Sequence, residues 1–412
     1  MRNRRARFLS LLILLLPLPV RAALTPVGSP LVIAETSSCS FVANLEVTAT
    51  PQGAFEVVWA DDAEDGVVKG QRFARNLVPT GTPRTLLPLH GGLFFLDFVG
   101  AWTGRYDVAL NALDDGENPD DPLTGYRVSL GLEGQPLAPA ARFKPSRFLR
   151  LAPASGGDSL QFRLEPPVFG PAGCKSEGLL AQRIDATGAA LGPESRITRR
   201  ASAFSPQFLK TDRLPNDTFV AVYTTCDQFD GLVARRLNAA GAPVGNPIDL
   251  PLPAQLGSFS NGGLVLAAHS GVDFAVGAMV YSSTGSSGSY TRGVVSGKAF
   301  GPTRVPTPPG MDFLPGLLDL VASPAGGYLL LFQDSVVSST SSTLFAQELD
   351  AKGVPLGAAV VVGEQTANVN SKGIAAAAAS LPNGRWIVVM REQDGDSSSC
   401  SERLLGTVLS SQ

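Results

Sequence analysis

Imidazole is nearly missing from this chain: its 412 residues include two histidines, His90 and His269. Thiols are scarce too, with four cysteines and no Cys-x-x-Cys. These shortages exclude a zinc centre of the usual nitrogen and sulfur kind. The Gly-x-Ser-x-Gly turn of serine hydrolases is absent. Gly170 to Ser176 fails as a phosphate loop, because its spacing is wrong and no strand-to-helix context follows. A Ser-His-Asp relay would have to use His90 or His269, and each reads more simply as a surface histidine. No stretch beyond the first twenty or so residues is apolar for long enough to cross a bilayer. No segment keeps a helical period.

The first residues read as an export leader. Arg2, Arg4, Arg5 and Arg7 precede an apolar run from Phe8 to Val20, and Val20-Arg21-Ala22 fits a small-x-small cleavage rule. The run is too short for a span and carries Pro17 and Pro19. No cysteine follows the cleavage point to take a lipid. Residues 1–22 are therefore expected to be a signal peptide, and 23–412 an exported periplasmic or extracellular domain. Losing the arginines at 2, 4, 5, 7 and 21 lowers Lys+Arg from 33 to 28 against 36 acidic residues, a net charge of −8. That balance excludes a nucleic-acid footprint, which needs clustered positive charge.

What the chain has in quantity is a beat. Gly241-Ala242-Pro243-Val244-Gly245 recurs at Gly134-Gln135-Pro136-Leu137, Gly188-Ala189-Ala190-Leu191-Gly192, Gly297-Lys298-Ala299-Phe300-Gly301 and Gly353-Val354-Pro355-Leu356-Gly357, and in shorter form at Gly81-Thr82-Pro83. The leading glycines are 53, 54, 53, 56 and 56 residues apart. A long fixed period marks a repeat architecture. Upstream of each phrase a turn residue precedes an aromatic or apolar residue and a β-rich run, as in Asn216-Asp217-Thr218-Phe219-Val220 and Asn383-Gly384-Arg385-Trp386-Ile387. Seven such places occur, and each reads as a strand leaving a hairpin. With one strand before and two after, every period spells four antiparallel strands, which is one propeller blade. Ala375 to Ala379 falls in a first-strand slot and reads as a buried small-residue strand. The Ser-rich stretches 282–289 and 335–343 read as loops between second and third strands.

The ends fix closure. The last period breaks off at the C-terminus before its phrase, and the missing phrase stands at the front as Pro26-Val27-Gly28. The expected fold is all-β: a seven-bladed β-propeller of four-stranded antiparallel blades, closed by an N-terminal strand completing the C-terminal blade.

In that scheme all four cysteines fall on one face. Cys174 and Cys226 occupy second-to-third-strand loops of adjoining blades. Cys400 occupies the equivalent loop of the last blade, and Cys39 follows the N-terminal strand. Disulfides Cys174–Cys226 and Cys39–Cys400 are expected. Asp61, Asp62 and Asp65 are the first place to look for Ca²⁺. No complete calcium-loop spacing occurs, so no cofactor is required and solvated acidic turns are the plainer reading. Phe41, Phe95, Phe148, Phe204, Phe259 and Phe313 recur near first-strand starts, as inter-blade packing or as an aromatic collar.

The segment Ala234 to Gly245, matched by Ala181 to Gly192 and Ala346 to Gly357, resembles the repeats of uncharacterised exported bacterial β-propeller proteins. The resemblance implies fold and export, and no activity. The sequence lacks sialidase Asp boxes and Trp-Asp blade ends. The expected function is non-catalytic recognition or scaffolding of a protein or glycan through loops of one face. The alternative is an extracytoplasmic hydrolase or lyase with acidic residues at the central channel. Carboxylates or His90 gathered at the channel mouth would favour the enzyme, and an apolar plug would favour recognition.

Overall fold

The computed structural model describes residues 24–36, 41–61, 66–88, 97–112, 124–143, 148–164, 168–169, 175–176, 178–198, 209–214, 217–225, 228–251, 258–269, 272–281, 287–307, 315–334, 341–366, 375–394 and 401–411. Seven antiparallel sheets form a ring. Blade 1 spans 41–88, blade 2 97–143, blade 3 148–196, blade 4 210–251, blade 5 258–304 and blade 6 315–366. Blade 7 joins 376–411 to 24–36. The first strand of every blade touches the first strands of both neighbours, all the way round. The protein is thus a closed seven-bladed β-propeller, with no helix long and apolar enough to cross a membrane among the described residues.

The second strand of each blade is covered on both faces by adjoining blades. This is why several of these strands, Phe219–Thr225, Tyr328–Asp334 and Arg385–Asp394 among them, carry apolar residues at successive positions instead of alternating. Phe55–Asp61 is buried at every position, and Leu329, Leu330, Leu331 and Phe332 are all 0% exposed. The core is accordingly divided. Seven apolar clusters straddle the seven blade interfaces, from Val58 and Val68 against Tyr106 and Val128 between blades 1 and 2 to Val57 and Trp59 against Ile387 and Val389 between blades 1 and 7. The intervening interfaces are built the same way. Each cluster exists only when both blades are in place, so the ring is stabilised as a whole.

Closure follows the expected seam. Leu24–Thr36 pairs antiparallel with Ser401–Ser411, from Leu24 opposite Ser411 to Thr36 opposite Glu402. Leu24 joins the cluster between blades 6 and 7, and Ile33 the one between blades 7 and 1. One strand therefore ties both interfaces of the closing blade.

The repeated phrase is the turn from third to fourth strand. Gly134, Gly188, Gly241, Gly297 and Gly353 all have φ between 77° and 88°, a left-handed conformation that favours glycine. An Asx residue caps three of these turns. Asp185 Oδ1 accepts from the Thr187 and Ala189 amides, Asn238 Oδ1 from Ala240 and Ala242, and Asp350 Oδ1 from Lys352 and Val354. Blade 1 corrects the reading of Gly81. There Leu77, with φ 68°, takes the turn, and Gly81 stands two residues past Pro79. Gly245 stands likewise two past Pro243 in blade 4, so Gly81 matches the second glycine of the phrase.

Ala376–Leu381 is a first strand, as expected. The Ser-rich stretches are partly strand. Ser287–Val295 and Ser341–Leu349 are the third strands of blades 5 and 6, because neighbours on both sides supply the ladder. In blade 3 a small hairpin, Val168–Phe169 with Lys175–Ser176, lies between the second and third strands.

Candidate site in the central channel

The seven first strands enclose a cavity of about 740 Å³. Pro51 and Pro324, from first-hairpin turns, line it, so it reaches the face that carries those turns. Its walls are largely small, with Ala267, Ala268 and Ala376 to Ala379 among them.

Register places the charges. Counting three residues back from the last ladder pair of each first strand gives Glu46, Val99, Arg150, Lys210, Val265, Asp319 and Ala378 for blades 1 to 7. These seven residues form one rung around the channel, and four are charged. Asp212 belongs two residues on, level with Thr48 and Ser380. All five charged groups line the cavity.

Two of the carboxylates are tied to backbone. Asp212 Oδ2 accepts from the Ala268 amide of blade 5 at 2.6 Å, and its Oδ1 accepts from the Arg213 amide at 2.6 Å. Asp319 Oδ2 accepts from the Ala378 amide of blade 7 at 2.9 Å, and its Oδ1 from the Leu320 amide at 2.8 Å. A first strand has a partner on one side alone, so its channel edge presents amides that need acceptors. The two aspartates supply them across blade boundaries.

Burial raises both carboxyls to about 6, against the pull of these amide hydrogen bonds. Asp319 adds to the rise at Asp212 and Arg150 opposes it, while Lys210 opposes the rise at Asp319. Both side chains are partly accessible by surface area, because they border the cavity while protein surrounds them otherwise.

Other charges hold neighbouring blades together. Arg84 Nη2 meets Glu56 Oε1 at 3.0 Å, and Arg84 Nη1 donates to the Glu133 carbonyl of blade 2. Burial lifts Glu56 to about 7, with Arg84 and then Arg72 pulling the other way. The Arg72 guanidinium lies 4.9 Å over the Tyr106 ring. Between blades 3 and 4, Asp217 accepts from the Ser155 amide and hydroxyl, each at 2.8 Å, and pairs with Arg183 at 2.7 Å and Arg213 at 3.0 Å.

The residues singled out in the sequence are scattered by comparison. Asp61 is buried and pairs with Lys69 Nζ at 2.8 Å. Asp62 and Asp65 lie outside the described residues, as do His90 and Cys39, Cys174, Cys226 and Cys400. Phe95, Phe204 and Phe313 also lie outside them, and of the other recurring phenylalanines only the backbone is described. Among the described residues no three or more His, Cys, Asp or Glu gather as a metal site. His269 is at a hairpin turn, its ring edge-on to Tyr328 with centroids 6.3 Å apart. The charged rung was missed because its members share no motif. The signal that could have found it was a charged residue in the otherwise apolar first-strand slots.

No protein-family model matches the chain. No curated protein matches it either. Solved structures similar to it include a protein of unknown function from Dyadobacter fermentans, at 11% identity, covering 96% of this chain and 100% of that one with a TM-score of 0.49. The polysaccharide lyase Uly1 is similar at 10% identity, covering 91% and 90%, TM-score 0.49. The fucose-specific lectin of Aleuria aurantia is similar at 10% identity, covering 81% and 99%, TM-score 0.44. At these identities the likenesses assign no activity to the chain.

Proposed function

We propose that this chain is a non-catalytic recognition propeller, exported through its N-terminal leader, that holds its ligand in the central channel. One observation carries the reading. Both oxygens of Asp212 and of Asp319 are occupied by backbone amides, two for each carboxylate. A general acid or base must be free to exchange its proton with a substrate. These carboxylates serve as clamps between blades, and they leave a channel walled by alanines for a ligand to enter. The loops bearing the cysteines are a further contact surface for a protein or glycan in this reading.

The test is direct. Purified mature chain is screened for binding against arrays of glycans and peptides, and every ligand retained is recovered and checked by mass. Recognition requires that the ligand come back unchanged. Recovery of cleaved ligand overturns the reading.

A second reading, an extracytoplasmic hydrolase or lyase, is favoured by the gathering of three carboxylates, Glu46, Asp212 and Asp319, in the channel and by the rise of Asp212 and Asp319 to about 6. A carboxyl that titrates near neutrality is suited to proton transfer. On that reading Asp319→Asn abolishes turnover while ligand affinity survives.

A further inference from the structure

The charged rung is not mixed at random. Arg150 and Lys210 come from the adjoining blades 3 and 4. Glu46 and Asp319 come from blades 1 and 6, which flank blade 7 on the far side of the ring. One arc of the channel therefore holds both bases, with the amide-bound Asp212 of blade 4 beside them, and the arc facing it is acidic throughout. Between them stand Val99 and Val265, and Ala378 separates the two acids; all three carry no charge and little bulk. The cavity of about 740 Å³ lies within the ~300–1,000 Å³ usual for small-molecule sites.

We infer that the channel takes a small dipolar ion, a free amino acid or short peptide, with its carboxylate toward Arg150 and Lys210 and its ammonium toward Glu46, while Asp319, whose oxygens already accept amides, adds its charge to that arc. This rests on the recognition reading above and names its ligand class. A field that reverses sign across a low-dielectric cleft orients a dipole and favours neither a pure anion nor a pure cation. Two bases against three acids, Asp212 included, leave the lining close to neutral. A polyanion or polycation would meet a like-charged arc whichever way it entered. A neutral saccharide would gain nothing from the separation of charge. The alanine wall supplies the apolar strip along which a short backbone can lie.

The experiment is titration calorimetry on the mature chain with four probes: alanyl-alanine, N-acetyl-alanyl-alanine amide, propionate and propylamine. Alanyl-alanine is expected to bind at least about tenfold tighter than any of the other three. Glu46→Gln and Lys210→Met should each weaken it by about tenfold or more, and Lys210→Arg should restore most of the loss. Melting curves of all three variants must match the parent, so that a folding defect is not scored as lost binding. Equal binding of the neutral amide, or no binding of alanyl-alanine, overturns the inference. A neutral glycan that binds, and is lost on Ala378→Trp, overturns the dipolar ligand while leaving the recognition reading intact. If no glycan or peptide binds and Ala378→Trp changes nothing, both fall.

Discussion

Asp319 accepts the amide proton of Ala378 at 2.9 Å, across the boundary between blades 6 and 7. Asp212 does the same for Ala268 across the boundary between blades 4 and 5. An edge amide in the channel has no ladder partner, and a carboxylate from the preceding blade takes that place. Such a bond links two blades that share no sheet.

Asp319→Ala is expected to lower stability by ~1–3 kcal/mol, since it leaves the Leu320 and Ala378 amides without an acceptor. Asp212→Ala should behave alike. Thermal unfolding followed by circular dichroism reads the effect. An unchanged melting temperature for both variants would remove the clamp role.

The phrase glycines differ in what surrounds them. Gly353 and Gly357 belong to one phrase, and both have left-handed φ, 78° and 73°. A Cβ at Gly353 would stand 2.7 Å from the Gly293 nitrogen of blade 5, whereas one at Gly357 would meet nothing within 4 Å. The close approach is a latch: Gly293 N donates to Lys352 O at 2.8 Å and Thr291 Oγ1 to Gly353 O at 2.7 Å. Gly357→Ala should cost about 1 kcal/mol for backbone strain alone. Gly353→Ala should cost about 2 kcal/mol more, because backbone must move to relieve the clash. Urea unfolding of the pair gives the difference, and equal midpoints would refute the latch.

Glu56 makes stability depend on pH in an unusual direction. Its folded value, about 7, lies above its ordinary 4.5. The native state therefore binds this proton more tightly than the unfolded chain does. Stability from this group grows as pH falls from about 7 toward 4.5, and is lost as pH rises through 7. A shift of this size corresponds to at most about 3 kcal/mol. Asp212 and Asp319 act in the same sense below about 6. Glu56→Gln should raise the melting temperature at pH 8 and leave it nearly unchanged at pH 5. A larger gain at pH 5 than at pH 8 would contradict the assignment.

At the seam, Thr36 pairs with Glu402. Cys39 follows three residues after Thr36, and Cys400 precedes Glu402 by two. Non-reducing peptide mapping of protein folded under oxidising conditions is expected to yield a Cys39–Cys400 peptide, together with Cys174–Cys226. Any other pairing would count against the one-face placement of the cysteines. Replacing both Cys39 and Cys400 by Ser should lower stability by about 2–5 kcal/mol.

The architecture was written locally. Turn glycines such as Gly241 and Gly353 need a left-handed φ wherever they occur, and a second strand such as Tyr328–Asp334 must be apolar on both faces because a blade covers each. Both requirements act within one period, so they repeat with it and can be counted. The register of single phrases was less legible. In blade 1 Leu77 adopts the turn conformation without being glycine, which hid the true turn and made Gly81 look like the leader.

The sequence alone determined the period, the seven sheets and the strand borrowed from Leu24–Thr36 to finish the last of them, because hydrophobic pattern and turn chemistry are properties of short segments. The tertiary structure alone decided which charges share the channel. Glu46, Arg150, Lys210 and Asp319 come from four different periods. Their meeting depends on the closing of the ring, which brings distant periods side by side and leaves no mark in the residues next to them.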